Sequence, residues 1–547
     1  MTLEILKALS VVAEYSPDLV QETTLPALFA LLPEKAQEEN DEKARAECVH
    51  ALMCLENLCL PSDLFSRLCI HFLTKVEILV ESLVKVSSDG TPSQMDWSIA
   101  YSHALLRTIS VVLDKKREKD HVDIPKYIER FVPRLYFLFF NNALGFQEGR
   151  PDLGETILVT DIADIISTVV GCLDREKQES WINTAFEAYF RGKPGLIAFS
   201  HTSVPDTNVF SPIETSQTIG ENLMPLFTSA VVALRSETSI PHHSLRKLLN
   251  QLALAAFTCE NPRKKIALTG AVASILNKHA EECPEFIEAD MEKFWSDNVK
   301  DSTLPVMKRN EALMIWSAVC QALVARNHPK AFPMVKKILG LFDDATISQH
   351  AARCFGQIPN LEGSTISKKN HAIIRLLYVQ KLLNTIGPEI KANYTPAIAS
   401  AKSDAYLTAV STLTPSIPKG TYTQTIDAFI PLLLRGLELQ DLALRANVID
   451  SFVTIVTKNE KGANEVIATH LGTLIGAMLK NIRTEEGMPL TVRLKVCALR
   501  FLTGVAGMMN QEDIQPFKSR VLRELQVVLD DRSKAVRHEA VAARTKW

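Results

Sequence analysis

Long apolar runs are missing from this sequence. No stretch approaches the ~18 uninterrupted apolar residues that read as a membrane-spanning helix. The greasiest run, Phe131 to Phe140, is short and is interrupted by Pro133 and Arg134. The first residues lack a signal-peptide pattern: Glu4 comes early, and no small-residue cleavage site follows a clear apolar core. Without such a signal, the sequon at Asn393-Tyr394-Thr395 is not expected to be used. Glycine is sparse, at 21 of 547 residues, and the glycine-rich phosphate and dinucleotide motifs are absent. Gly192-Lys193-Pro194-Gly195 is a turn, because Pro194 removes a donor that a phosphate loop would need. Neither H-E-x-x-H nor G-x-S-x-G occurs. The net charge of −3 argues against a general nucleic-acid binder. These absences leave little room for an enzyme.

No two of the ten cysteines form a C-x-x-C pair. Cys48, Cys54, Cys59, Cys69, Cys172, Cys259, Cys283, Cys320, Cys354 and Cys497 lie mostly among apolar helical residues, as reduced core thiols do. That fits a reducing compartment, cytosol or nucleus or both. Cys48 and Cys59 share a helix face but sit about 16 Å apart by the helical rise, too far for one metal. His242-His243, next to Pro241, reads as a helix start without nearby acidic or cysteine ligands.

What is abundant is helical periodicity. Toward the C-terminus the apolar stripes come in pairs. Ile426, Phe429, Ile430, Leu433 and Leu437 precede Leu444, Val448, Phe452 and Ile455. Ile467, Leu471, Leu474, Ile475 and Met478 precede Val492, Val496, Leu499 and Leu502. Phe517, Val521, Leu525 and Val528 precede Val536, Ala540, Ala543 and Trp547. Short linkers make each pair an antiparallel hairpin. Proline recurs inside apolar helices, at Leu25-Pro26, Val132-Pro133, Met224-Pro225, Phe332-Pro333, Ile430-Pro431 and Gln515-Pro516, which predicts a kink in the first helix of a pair. The second helix opens on Asp-x-x-apolar-Arg: Asp41/Ala44/Arg45/Cys48 and Asp441/Leu444/Arg445/Val448, with weaker versions at Arg493 and Arg537. Asp344/Ile347/Ala351 carries Ser348 at the arginine position. The aspartate is expected to cap its helix or to meet an arginine of its own or the next repeat. Arg45, Arg445, Arg493 and Arg537 are therefore expected to tie repeats together. The pattern predicts an all-α HEAT-repeat solenoid of stacked antiparallel helix pairs forming a curved superhelix.

Residues 191–220 break the pattern, being rich in Gly, Pro, Ser and Thr, and are expected to be a flexible or partner-binding insertion. The expected organisation is repeats over 1–190, the insertion at 191–220, and repeats including partner-docking ones over 221–547. The aromatic-rich helix with Phe131, Tyr136, Phe137, Phe139 and Phe140 is expected in the core. Charge is unevenly spread. From Arg493 to Lys546 there are eleven Lys or Arg against six acids, a net +5 that leaves −8 for the remainder. This suggests a basic surface for an acidic partner, with Arg500, Lys518, Arg520, Arg523, Arg532, Lys534 and Arg544 as candidate contacts. No aromatics alternate with these charges, so single-stranded nucleic acid is the weaker reading.

The ending Leu529-Asp530-Asp531, Val536-Arg537, Glu539-Ala540-Val541, Ala543-Arg544 and Trp547 resembles the last repeat of one family. That family is the HEAT-repeat scaffold of the cytosolic iron–sulfur cluster assembly targeting complex, first named for sensitivity to methyl methanesulfonate and linked to DNA repair and transcription. Asn327-His328-Pro329, Leu339-Gly340-Leu341-Phe342-Asp343, and the stretch from Tyr394 to Pro418 add to the resemblance. It implies a non-catalytic adaptor in the cytoplasm and nucleus, binding no metal or cofactor directly. Its implied partners are a WD-repeat propeller subunit, a small subunit as the C-terminal contact, and apo-clients such as helicases, primase and polymerases awaiting a [4Fe–4S] cluster. Nucleic acid would be met only through them. His538 stands where the family has a basic lysine, and the chain reads as the C-terminal half of a longer scaffold. A nuclear-transport or chromatin-associated HEAT adaptor is the alternative. The first would need acidic inner-face clusters, the second a basic groove along many repeats.

Overall fold

The computed structural model describes residues 3–34, 42–86, 92–145, 152–213, 223–393, 401–417, 422–439, 441–458, 461–483 and 490–547. Among these, helices account for the regular structure, and the one β feature is an isolated bridge between Phe199 and Ser203. No described helix is long and apolar enough to cross a membrane. The chain forms two units, one of Met1–Phe286 with Thr365–Ile373, the other of Ile287–Ser364 with Ile374–Trp547.

Each unit is an all-α solenoid built from two rows of helices. In the first unit Glu42–Leu58, Pro92–Glu118, Leu158–Gly171, Met224–Val232 and Pro262–His279 stack in succession. Ser62–Val86, Val132–Leu144, Arg175–Phe190 and Leu245–Thr258 form the other row. In the second unit the stacked row is Val306–Ala325, Ser348–Gln357, Ala401–Leu413, Leu442–Lys458, Val492–Met508 and Lys534–Lys546. Ala331–Leu339, Tyr378–Asn393, Tyr422–Gly436, Leu471–Lys480 and Gln511–Val528 cover it. The apolar stripes read from the sequence are the buried faces: Phe452, Ile455, Leu499, Leu502, Val521, Leu525, Val536 and Ala540 are all buried. Stacking is close where side chains are small. A Cβ on Gly504 would lie 2.6 Å from Val456 Cγ1, and one on Gly356 would lie 2.7 Å from Thr412 Cβ. Only hydrogen fits at these two crossings.

The recurring prolines do two different jobs. Pro431 and Pro516 lie inside their helices. Pro26 lies within a continuous helical run whose preceding turn, Val20–Thr24, is π-helical, whereas Pro133 and Pro225 occupy the first turn of theirs. There the missing N–H would have had no helical partner anyway, so no kink is imposed. Pro225 also opens a helix of the stacked row rather than the covering one. The expected capping aspartate is in place at Asp441, whose Oδ1 accepts from the backbone N–H of Ala443 (2.8 Å) and Leu444 (3.1 Å). Its counterpart Asp41 lies outside the described residues, as do Tyr394–Ser400, Pro418 and the side chain of Ile426.

The composition of 191–220 suggests a flexible insertion, but residues 191–213 are packed. Ile197, Ala198, Val204 and Phe210 are buried, and the Phe210 ring stacks on Phe140 at 4.0 Å. Gly192, at φ +65°, turns the chain so that its carbonyl accepts from the Thr207 N–H at 2.9 Å. Residues 214–220 lie outside the described set. Phe210 thereby joins Tyr136, Phe139 and Phe140, which are buried as expected, with Phe137 half-buried. His242 and His243 precede the helix capped by Ser244, whose hydroxyl accepts from the Lys247 N–H.

Candidate functional site

The cations of the second unit divide into those spent on the stack and those left at its surface. Four sit at the fourth residue of a stacked-row helix: Arg309, Arg445, Lys495 and Arg537. Buried Arg309 donates from Nε to the Val299 carbonyl (2.8 Å) and from Nη2 to Asp344 Oδ2 (2.7 Å), just before the next stacked helix. Arg445 donates to the Leu439 carbonyl through Nε (2.7 Å) and to Asn481 Oδ1 through Nη1 (3.1 Å), again one repeat on. Lys495 reaches Asp531 at 2.7 Å, and Arg537 closes its own turn on the carbonyls of Asp531 (2.7 Å) and Arg532 (3.0 Å). Burial alone would raise the Asp531 and Asp344 carboxyls, yet both are held below the usual range. Lys495 does this for Asp531, and the Thr346 hydroxyl with Arg309 does it for Asp344.

The other two predicted repeat arginines act differently. Arg493 Nη2 donates back to Asn447 Oδ1 of the preceding stacked helix at 2.6 Å. Arg45, in the first unit, lies 4.5 Å from the centre of the Trp97 ring. Arg309 and Lys495 were not singled out by the sequence pattern. The signal was there as a cation four residues into a helix, with Asp or Asn about 35 residues further on.

The seven candidate contacts are not one patch. Arg500 Nε donates to Glu539 Oε1 at 2.9 Å, a bond between stacked helices that raises the guanidinium's affinity for its proton. On Gln511–Val528 the exposed stripe is Glu512, Pro516, Arg520, Arg523 and Val527, spaced so that all share one helical face, with exposed Asp513 beside Glu512 at its start and the cations toward its end. Lys518 is half-buried and lies off that stripe. On Lys534–Lys546, Lys534, Arg537, Val541 and Arg544 form a second exposed stripe at i, i+3, i+7 and i+10. Arg532 stands exposed in the turn between the two helices. The last helix pair thus presents two cationic stripes, each carrying one exposed valine. On the flank of the covering helix, buried Glu524 accepts a charge-assisted bond from Arg483 Nη2 at 2.6 Å, locking this pair to the one before, and lies 3.9 Å from Arg523 Nε.

Among the described residues, no group of three or more His, Cys, Asp or Glu is placed to hold a metal ion. All ten cysteines are free thiols, eight of them buried. Burial pushes the Cys59 and Cys354 thiols up to about 12, so they are protonated and poor ligands at neutral pH.

Comparison with known proteins gives these helices a family. Residues 51–506 match the MMS19 C-terminal family, described as "RNAPII transcription regulator C-terminal". The "DNA repair/transcription protein mms19" of Schizosaccharomyces pombe is 25% identical over 481 residues, covering 86% of this chain and 44% of that protein. The mouse "MMS19 nucleotide excision repair protein homolog" is 22% identical over 539 residues, covering 96% of this chain and 49% of that protein. The chain therefore spans about half the length of the curated relatives it matches. Yeast importin-beta (Kap95p) superposes with a TM-score of 0.40 at 12% identity, over 98% of this chain and 61% of that one, too loosely to add to the helix pairing described above. With a match over well more than half its length, the chain belongs to the MMS19 family.

Proposed function

We propose that this chain is a non-catalytic scaffold linked to DNA repair and transcription. In this reading it forms part of the cytosolic iron–sulfur targeting complex and holds apo-clients for [4Fe–4S] insertion. The carrying observation is the set of exposed cations Arg520, Arg523, Arg532, Lys534 and Arg544 on and between Gln511–Val528 and Lys534–Lys546, beside Arg537, which is spent on its own turn. Exposed cations with an exposed valine at the end of one stripe, Val527, and within the other, Val541, suit an acidic protein surface that buries a little apolar area. The names of the relatives support the repair and transcription link. The propeller and small subunits as partners, helicases, primase and polymerases as clients, and work in both cytoplasm and nucleus rest on the family resemblance. Arg520, Arg523, Arg532, Lys534 and Arg544 are the contacts this reading favours. Lys518 and Arg500 contribute less, one lying off the stripe and the other bound to Glu539.

The test is capture of partners from cell extract by the chain and by R520E/R523E, with mass spectrometry. Recovery of the propeller and small subunits, lost in the charge-reversed form, supports the reading. Recovery unchanged by reversal would move the interface elsewhere. Recovery of transport factors or chromatin in their place would refute the iron–sulfur assignment.

A further inference from the structure

The first unit contains a basic cavity that the scaffold reading does not use. It measures about 480 Å³ and lies where the end of Pro92–Glu118, the end of Leu158–Gly171 and the returning segment Thr365–Ile373 meet. Arg117, Arg235, Lys368 and Lys369 line it, with His371 and Cys172. Against these stand four carboxylates, of which Glu237 acts on His371, and Asp123, paired with buried Lys116, acts on His121 of the lining. Asp120 is on the lining, and Asp114 lies behind it, shared between Arg117 (3.3 Å) and Lys369 (3.1 Å). Neither Arg235 nor Lys368 has a carboxylate partner among the described residues. Arg117 Nη1 is buried without any hydrogen-bond acceptor. With the lining histidines His121 and His371 neutral, as burial favours, the lining carries a surplus of positive charge, although the whole chain is net acidic.

The cavity is held in shape rather than formed by loose side chains. Thr365–Ile373 is pinned by Asn277, which is fully buried. Its amide donates to the Ile373 carbonyl (3.1 Å), and its carbonyl accepts the Ile373 N–H (2.7 Å). His371 adopts a left-handed backbone, φ 52°, and its Nε2 hydrogen-bonds the Gly171 carbonyl at 2.7 Å. Asp120 on the opposite rim is also left-handed, at φ 53°. Residues held in this region without being glycine persist where packing fixes them, and they cluster at binding sites.

We infer that this cavity binds a small soluble anion carrying two or more phosphate groups. Guanidinium forks and ammonium groups on separate walls match several phosphates better than one carboxylate. The volume exceeds what a single phosphate fills and falls within the range of small-molecule sites.

The test is titration calorimetry of the chain with inorganic tripolyphosphate at physiological salt. It is paired with peptide-mapped alkylation of Cys172, the half-buried thiol on the lining. The expectation is one saturable site, weakened at least tenfold in R235Q/K368Q and unchanged in K293Q/K300Q, which removes the same charge from exposed positions in the other unit. Cys172 alkylation should slow severalfold on ligand addition. If R235Q/K368Q melts early, Lys368→Gln alone, at an exposed position, serves as the variant. No binding, equal weakening in both double variants, or sulfate matching tripolyphosphate (an adventitious ion only) would overturn the inference. Tighter binding of a doubly phosphorylated serine peptide would overturn the small-molecule assignment in favour of a phosphoprotein source.

Discussion

Substituting methionine for Arg309 tests whether cations inside the stack hold neighbouring repeats together. The guanidinium is 4% exposed and makes three bonds: to the Val299 carbonyl, to Asp344, and to the Thr346 hydroxyl at 3.3 Å. Methionine keeps most of the stem packing and removes the charge. Truncating one member of a fully buried ion pair costs about 3–5 kcal/mol. Asp344 is 30% exposed, so water recovers part of its solvation. The Val299 carbonyl loses its side-chain donor, at about 1–3 kcal/mol if buried. Together these give about 2–3 kcal/mol for R309M. Asp344→Asn keeps an acceptor for the Thr346 N–H and should cost about 1 kcal/mol. The double variant should show a coupling of about 1–2 kcal/mol. Solenoids unfold by neighbouring repeats, so urea melts should be read with amide exchange over Val306–Ala325 and Ser348–Gln357. The sign with pH is fixed. Asp344 has its folded pKa depressed, so its contribution is present above the unfolded value of about 4 and is lost as pH falls through the folded one. The R309M deficit should therefore shrink below about pH 4. A deficit under about 0.5 kcal/mol at neutral pH, or no coupling to Asp344, would refute the role given to Arg309.

Lys278 gives the opposite pH signature. Burial pulls its pKa down to about 7, with Nζ 2.7 Å from the Val232 carbonyl. The unfolded lysine keeps its proton up to about 10.4, so unfolding takes up a proton between the two values and stability rises with pH across that window. K278M should abolish this rise, which denaturation midpoints from pH 7 to 10 would record; identical slopes would contradict it. At the helix crossing, G504A should destabilise by about 1–3 kcal/mol, since the added methyl meets Val456. G476A has nothing within 4 Å of its Cβ and should instead stabilise by about 0.5–1 kcal/mol. Thermal melts of the two variants moving in the same direction would contradict the packing argument.

Much of the fold was legible because helical periodicity depends on neighbours three and four residues away. The stripes through Phe452, Leu499 and Leu525, and the cap at Asp441, are of that kind. The prolines misled because a proline in the first turn and one in the interior look alike until the helix start is known. Pro133 and Pro431 each follow a β-branched apolar residue in an apolar stretch, and what separates them is where the helix begins. Residues 191–213 misled for a different reason. Their composition is that of a loop, yet Ile197, Val204 and Phe210, spaced six or seven apart, are enough to fix them against Phe140 and its neighbours. The basic cavity was invisible because its walls come from residues up to about 250 positions apart in sequence.

The same distance problem governs the candidate docking surface and shows how to separate its cations. Counting charge from Arg493 to Lys546 treats all eleven basic residues alike. The structure spends Lys495, Arg500 and Arg537 on Asp531, Glu539 and two turn carbonyls, respectively. Two of those acceptors lie 36 and 39 residues onward, beyond any local pattern. A cation inside the stack and one on the surface therefore differ in what their loss does. Removing Lys495 leaves a partly buried carboxylate and should lower stability with little change in the salt dependence of partner binding. Removing Arg523 or Arg544, both exposed, should leave the melting temperature within about 1–2 °C and slow association in a salt-dependent way. If R523E and R544E lower stability as much as Lys495→Met while association stays unchanged, the surface cations belong to the fold. The basic C-terminal repeats would then lose their claim as a docking site.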